Sequence, residues 1–290
     1  MSIEGLTLIG ESINDSVPST HQLFETGNMD GILELAKMQD ERGAAYIDVN
    51  VGTYSPDIMA DLVRRIQQVT SKPLSIDTPD IAIASAGLEA YNPELADNRL
   101  PILNSVAQSR LEMFDLYRKQ PFIPILLITE DVNENGDAVM NHTAEATYKT
   151  AKKFVDIAGR TLDDFSNDKV ILDPGIMPIG SDSDGNFRRL METIRLIHED
   201  PDLKGINMSV GLSNFTVMLP PKRADGSPVK SALESAFLTM AMPLGFNMMI
   251  GSVKRKYKIL AEDHPAMQCL QDILNLEGFD VITRVMEFYS

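Results

Sequence analysis

Tyr46-Ile47-Asp48-Val49-Asn50-Val51-Gly52 and Leu74-Ser75-Ile76-Asp77-Thr78 share one design: a short apolar run that ends in a carboxylate or amide. A stretch with 3.6-residue periodicity follows each, over 57–69 and 81–90, so each pair reads as a strand and then a helix. The same design recurs along the chain. Eight apolar runs lie at 6–10, 46–52, 74–78, 101–106, 124–130, 169–175, 205–211 and 246–252. The other helical patterns cover 30–42, 109–119, 143–158, 187–198 and 230–242, and a closing helix is expected over 265–287. Strands that are apolar throughout and separated by helices are parallel and covered on their outer face, which leaves a doubly wound sheet or a closed barrel. Eight units favour the (β/α)₈ TIM barrel, an α/β fold of about 250 residues. The 290 residues fit one such domain, because no Pro-, Gly- or Ser-rich linker divides the chain.

Composition excludes several classes of function. Hydrophobic residues make up 43% and charged residues 23%, an ordinary globular balance that can fill a core. The net charge of −16 opposes binding to a phosphate backbone, so no nucleic-acid partner is expected. A single cysteine, Cys269, rules out an internal disulfide framework and any zinc site built on two thiolates. The N-terminus carries no Lys or Arg before its short apolar run, and the most apolar later stretch, 237–251, is broken by Pro243, Gly245 and Asn247. No signal peptide and no membrane span are expected, and a soluble, cytoplasmic protein fits.

The polar residues that end the apolar runs carry the chemical information. They are Glu11 and Asn14, Asp48 and Asn50, Asp77, Asn104, Asp173, and Ser213 with Asn214. In a barrel all strands end at one rim, so these distant residues converge on one mouth. Asp77 and Asp173 stand out, since each is placed inside or at the very end of a β run, where a charged residue is rarely buried without a partner. Ser16, Asp80 and Asp131 instead read as helix N-caps. The set lacks His, Cys and Lys, and the four histidines are expected at the surface and never within metal-ligand spacing, so no metal is expected on this chain. Such a set suits hydrogen bonding to a polar heterocycle. There is no phosphate loop or dinucleotide fingerprint. Gly211-Leu212-Ser213-Asn214-Phe215 has Phe where a nucleophile elbow needs Gly. The basic stretch 254–258 reads as a solvated face or loop. Two long loops, 178–186 and 215–229, follow strands and are expected on the C-terminal face.

Taken in order, Gly10-Glu11-Ser12-Ile13-Asn14, Ile47-Asp48-Val49-Asn50-Val51-Gly52, Ser75-Ile76-Asp77-Thr78, Leu103-Asn104-Ser105, Leu172-Asp173-Pro174 and Gly211-Leu212-Ser213-Asn214 resemble the pterin-binding methyltransferases. The branch most resembled is methyltetrahydrofolate:corrinoid-protein methyltransferase, over about 6–252. Each motif alone is weak, whereas six in order at successive strand ends are specific. The resemblance implies a TIM barrel, usually a homodimer. It implies an enzyme that moves a methyl group between N5 of tetrahydrofolate and the cobalt of a corrinoid (cobalamin) carried on a partner protein, with 5-methyltetrahydrofolate as substrate. It further implies that Asp77, Asn104 and Asp173 hold the pterin ring and that Asn214 is the catalytic residue that reaches N5. Glu11, Asn14, Asn50, Gly211 and Ser213 complete the expected substrate-binding set. Ser12 stands where many relatives have Arg, and Val217 where some have Gln. Dihydropteroate synthases share the fold, but their Ser-x-Arg-Pro-Gly loop and late Ser-Arg-Lys motif are missing here. Another barrel enzyme, lacking here the strand-end Lys or phosphate loop it would need, and a non-catalytic folate-binding subunit are the rival readings.

Overall fold

The computed structural model describes residues 3–163 and 165–290. Strands β1 (Thr7–Asn14), β2 (Tyr46–Asn50), β3 (Leu74–Asp77), β4 (Ile102–Ala107) and β5 (Ile123–Leu127) are the first five apolar runs. A short antiparallel hairpin follows, β6 (Glu130–Val132) with β7 (Ala138–Met140). The remaining runs are β8 (Ile171–Asp173), β9 (Asn207–Met208) and β10 (Met248–Gly251). The eight run-derived strands form one parallel sheet in the order β10-β1-β2-β3-β4-β5-β8-β9. Its two ends meet: Ile250 donates its N–H to the Val210 carbonyl at 3.0 Å, and Gly211 bridges Ile250 in parallel. Below that bridge the Asn247 amide donates to Asn207 at 2.9 Å and accepts the Met208 N–H at 3.1 Å. The sheet is a (β/α)₈ barrel whose shortest strand is tied in by side chains.

Successive strand residues point to opposite faces, and this alternation divides the barrel. Ile47, Val49, Leu74, Ile76, Leu103, Leu126 and Leu172 point outward into the main core, against the inner faces of the helices. Ile9, Ile102, Ile125, Ile171, Met248 and Ile250 form a separate cluster that plugs the interior. One step further along the same inward columns stand Glu11, Asn104 and Asp173, two residues beyond Ile9, Ile102 and Ile171. The barrel is apolar below and polar above, so the polar set is held on a rigid, dry floor.

Helices α1 (Pro18–Glu25), α2 (Met29–Glu41), α3 (Pro56–Ile66), α4 (Ile81–Ala90), α5 (Ala144–Thr161), α6 (Asn186–Glu199), α7 (Lys230–Ala241), α8 (Pro265–Ile273) and α9 (Phe279–Tyr289) surround it. No helix among the described residues is long and apolar enough to cross a membrane. Four expectations need correction. The closing helix is two helices, because Gly278 adopts φ 58° and the chain turns between Ile273 and Phe279. The segment expected as a helix over 109–119 is 3₁₀ structure over Gln108–Arg118, broken at Arg110. Ser16 bonds Asn14 rather than capping α1, and Asp131 lies in the hairpin, paired with Lys153 at 2.5 Å. Asp80 does cap α4, accepting the N–H groups of Ala82 and Ile83. The hairpin and α1 gave no periodic signal, being too short to show one.

The 178–186 loop is held by one buried carboxylate. Asp182 accepts the Asn186 and Phe187 N–H groups at 2.8 Å each, satisfying the orphan donors at the start of α6. Asp182→Ala is expected to lower stability by about 1–2 kcal/mol, the cost of losing a cap. Denaturant unfolding with an unchanged slope would show it, and an unchanged midpoint would assign the loop's order to other contacts.

Candidate active site

A cavity of ≈ 560 Å³ opens at the C-terminal mouth of the barrel. Glu11 and Asn14 of β1, Asp77 of β3, Asn104 of β4, Asp173 of β8, and Gly211, Ser213 and Asn214 after β9 line it, so eight of the nine expected site residues meet there. Asn50 does not line it. Its amide donates to Asp77 Oδ2 at 2.8 Å while its carbonyl oxygen accepts the Gly52 N–H, so Asn50 orients Asp77 from behind. Asn14 accepts both the N–H and the hydroxyl of Ser16, which shapes the turn into α1 at the cavity rim.

Asp48, outside the expected binding set, belongs to the site as well. Asp48 lines the same cavity, is 1% exposed, and its Oδ1 has no hydrogen-bond partner. Its carboxyl is pushed well above the usual carboxylate range, first by burial and then by the neighbouring Asp77 carboxylate, with Glu11 adding to the effect. Asp77 is raised as well by burial, and hydrogen bonds from Asn50 and Asp48 hold it back. Two carboxyls this close cannot both ionise without large cost, so the proton rests on Asp48 and the charge on Asp77. The signal was in the sequence: Asp48 and Asn50 have the same parity on β2, so both face inward.

The other acids are tuned in the same direction. Burial raises Glu11, while the Ser213 hydroxyl, which donates to it, and Arg255 pull it back. Arg255 in turn pairs with the fully buried Glu234, which also accepts from Thr216. The stretch 254–258 is therefore more than a solvated face, since Arg255 and Tyr257 turn inward. Burial raises Asp173 to about 6, and the Gly175 N–H, 2.8 Å from Oδ1, together with Arg189 limits the rise.

A second cavity of ≈ 500 Å³ shares Asp173, Gly211 and Asn214 with the first and is walled by Met140 of the hairpin, His142 just after it and Met177 of the loop after β8. Asn214 stands between the two cavities. It is exposed, its backbone N–H is fixed to the Gly211 carbonyl at 3.0 Å, and its side-chain amide has no partner among the described residues. No group of three or more His, Cys, Asp or Glu among the described residues is placed to hold a metal ion.

The site can hold the edge of a flat heterocycle that offers paired N–H donors. An ionised carboxylate accepts two of them, and an Asn amide serves one donor and one acceptor of the ring. A profile of the pterin binding enzyme family matches residues 13–251, which contain five of the six motifs whole and most of the residues that line the cavity. The chain belongs to the pterin-binding enzymes.

Within that family, the chain is 25% identical over 251 residues to the methylcorrinoid:tetrahydrofolate methyltransferase of Eubacterium limosum, covering 84% of each chain. It is 26% identical over 234 residues to the methionine synthase of Mycobacterium tuberculosis, matching 75% of this chain and 18% of that much longer one. Among solved structures, the 7,8-dihydropteroate synthase of Vibrio fischeri superposes with a TM-score of 0.57 at 15% identity, covering 99% of this chain and 95% of the other. That likeness shows the barrel fold.

Asp173 gives this pterin-binding site a pH signature. A ring held by the ionised Asp173 carboxylate would bind more weakly as pH falls through about 6, by at most about tenfold per unit. Its effect on folding runs the other way. A carboxyl with a raised folded pKa binds its proton more readily when folded, so its contribution to stability is full below the unfolded value and is lost as pH rises through about 6. Asp173→Asn keeps an acceptor for the Gly175 N–H and is expected to flatten the pH 5–7 dependence of pterin affinity. Titration calorimetry across that range checks this, and an unchanged slope would assign it to the other acids.

Proposed function

We propose that the chain transfers a methyl group between N5 of tetrahydrofolate and the cobalt of a corrinoid carried on a separate protein. The observation that carries this reading is the Asn214 amide, without a partner among the described residues, on the lining of a ring-sized cavity that Asp77, Asn104 and Asp173 also line. With the pyrimidine edge of the pterin on those three residues, Asn214 takes the place at N5 that the family resemblance implies. The similarity to the Eubacterium limosum enzyme over most of both chains supports the same reaction class.

The chemistry is a displacement at carbon. An electron pair on cobalt forms the cobalt–carbon bond, the carbon–nitrogen pair returns to N5, and N5 takes up a proton from solvent. A tertiary amine leaves poorly until its nitrogen is protonated or strongly hydrogen-bonded. Asn214 holds no transferable proton, so its part is to hydrogen-bond N5 as the bond breaks. The rim around the mouth suits a large, flat partner: Val17, Val217, Met140 and Met177 are exposed apolar side chains on the walls of the two cavities. Docking a corrin there excludes water and aligns cobalt with the methyl group.

The test is optical. Mixing the chain, 5-methyltetrahydrofolate and a reduced corrinoid protein is expected to convert the cob(I) absorption spectrum to that of methylcob(III). Folate binding with no spectral change would leave a binding subunit, and no folate binding would remove the reading.

A further inference from the structure

Beside the mouth lies a larger cavity of ≈ 870 Å³, and Lys254 lines both it and the mouth. Its wall is the segment after β10. Alternate residues of that segment have different tasks: Arg255 and Tyr257 turn inward, Arg255 to Glu234 and the Tyr257 hydroxyl to the Ser252 N–H at 3.2 Å. Lys254, Lys256 and Lys258 are exposed, line the cavity, and have no ion-pair partner among the described residues. The row is held in place, since the Lys258 N–H donates to Ser235 and the Leu260 N–H to Thr239 on α7. In a chain with a net charge of −16, three adjacent unpaired cations form a local positive field that the rest of the surface does not neutralise. The one carboxylate in the wall, Asp225, faces Arg223 at 3.8 Å. Pro228, Pro265 and Phe288 supply apolar surface between the charges.

This inference rests on the pterin reading of the mouth. We propose that the lysine-lined cavity binds the glutamate end of the folate substrate, with Lys254, Lys256 and Lys258 facing its carboxylates. Beyond the pterin, a folate carries a p-aminobenzoyl group and then glutamate. One glutamate brings two carboxylates, and each further γ-linked unit adds one more on an apolar stem of methylenes. A row of cations that starts at the pterin cavity and leads away from it over an apolar wall matches that order of groups. An isolated anion would need no such continuity.

The experiment is titration of the full chain with tetrahydropteroate, which lacks glutamate, with tetrahydrofolate, and with its tri-γ-glutamate form. Affinity is expected to rise along the series by roughly tenfold in total at low salt, and the rise should shrink as salt screens exposed charges. The double variant K256A/K258A, which keeps Lys254 at the mouth, is expected to bind tetrahydropteroate as the parent does and to lose most of the rise in affinity along the series. Equal affinities of the parent for the three ligands would overturn the tail site alone. If the variant then lost salt-sensitive binding of the corrinoid protein, the lysines would belong to that interface. A variant weakened equally toward tetrahydropteroate would show a structural role and overturn it too. Failure of all three ligands to bind would overturn the pterin reading together with this inference.

Discussion

Asn214→Ala is expected to lower the methyl-transfer rate by roughly 10²-fold or more, while folate affinity falls much less. In the proposed reaction the amide would reach a nitrogen that is a weak acceptor in the methylated substrate and a strong one as the carbon–nitrogen bond breaks. An interaction that strengthens only in the transition state affects turnover rather than ground-state binding. Loss of one preorganised donor of this kind costs about 10²–10³ in rate. The surroundings supply the preorganisation: the backbone of Asn214 is tied to Gly211, and no other side chain competes for its amide among the described residues. Gly211 leaves the amide its space, because a Cβ there would come within 3.0 Å of Asn214 Nδ2. Gly211→Ala should therefore shift the amide and lower the rate by a smaller factor, with folate affinity again little changed. Running the reaction backwards should rescue neither variant, since both directions cross the same transition state. Single-turnover mixing beside equilibrium titration decides the matter. Normal transfer with poor affinity in Asn214→Ala would make it a ring-holding residue.

Much of the barrel was legible because each strand is a continuous apolar run, and all eight runs became strands with boundaries shifted by a few residues. The strand-end acids were legible for a related reason. A carboxylate two residues beyond an inward isoleucine, as in Ile171-Leu172-Asp173, must sit above the plug and face the mouth. What stayed hidden depended on packing across elements. The 265–287 pattern kept its apolar spacing across a break, so a turn at Gly278 left the periodicity intact. Asn50 shares the inward parity of Asp48, and only the third dimension shows that its amide is spent on Asp77. The burial of Glu234 against Arg255 joins α7 to the segment after β10, a contact that no local pattern encodes.

The Asp48–Asp77 pair makes the sharpest statement about how the ring is held. Asp48 is buried beside Asp77, and desolvation together with the Asp77 charge keeps its proton on. A neutral acid that donates to Asp77 can be replaced by an amide, which also donates. Asp48→Asn is therefore expected to leave pterin affinity within a factor of a few. Asp77→Asn replaces the acceptor of two ring N–H groups with one acceptor and one competing donor, and Asp77→Ala removes it altogether. Each lost charge-assisted contact is worth about 1.5–3 kcal/mol, a fall of roughly 10- to 150-fold in affinity. Asn50→Ala should fall between these, because it frees Asp77 Oδ2 from the 2.8 Å contact that aims it without removing the charge. Calorimetric titration of the four variants with tetrahydrofolate at pH 7.5 separates the cases. A loss for Asp48→Asn equal to that for Asp77→Asn would place the charge on Asp48 and exchange the two roles, whereas unchanged affinity in Asp77→Ala would put the pterin edge on Asp173 alone.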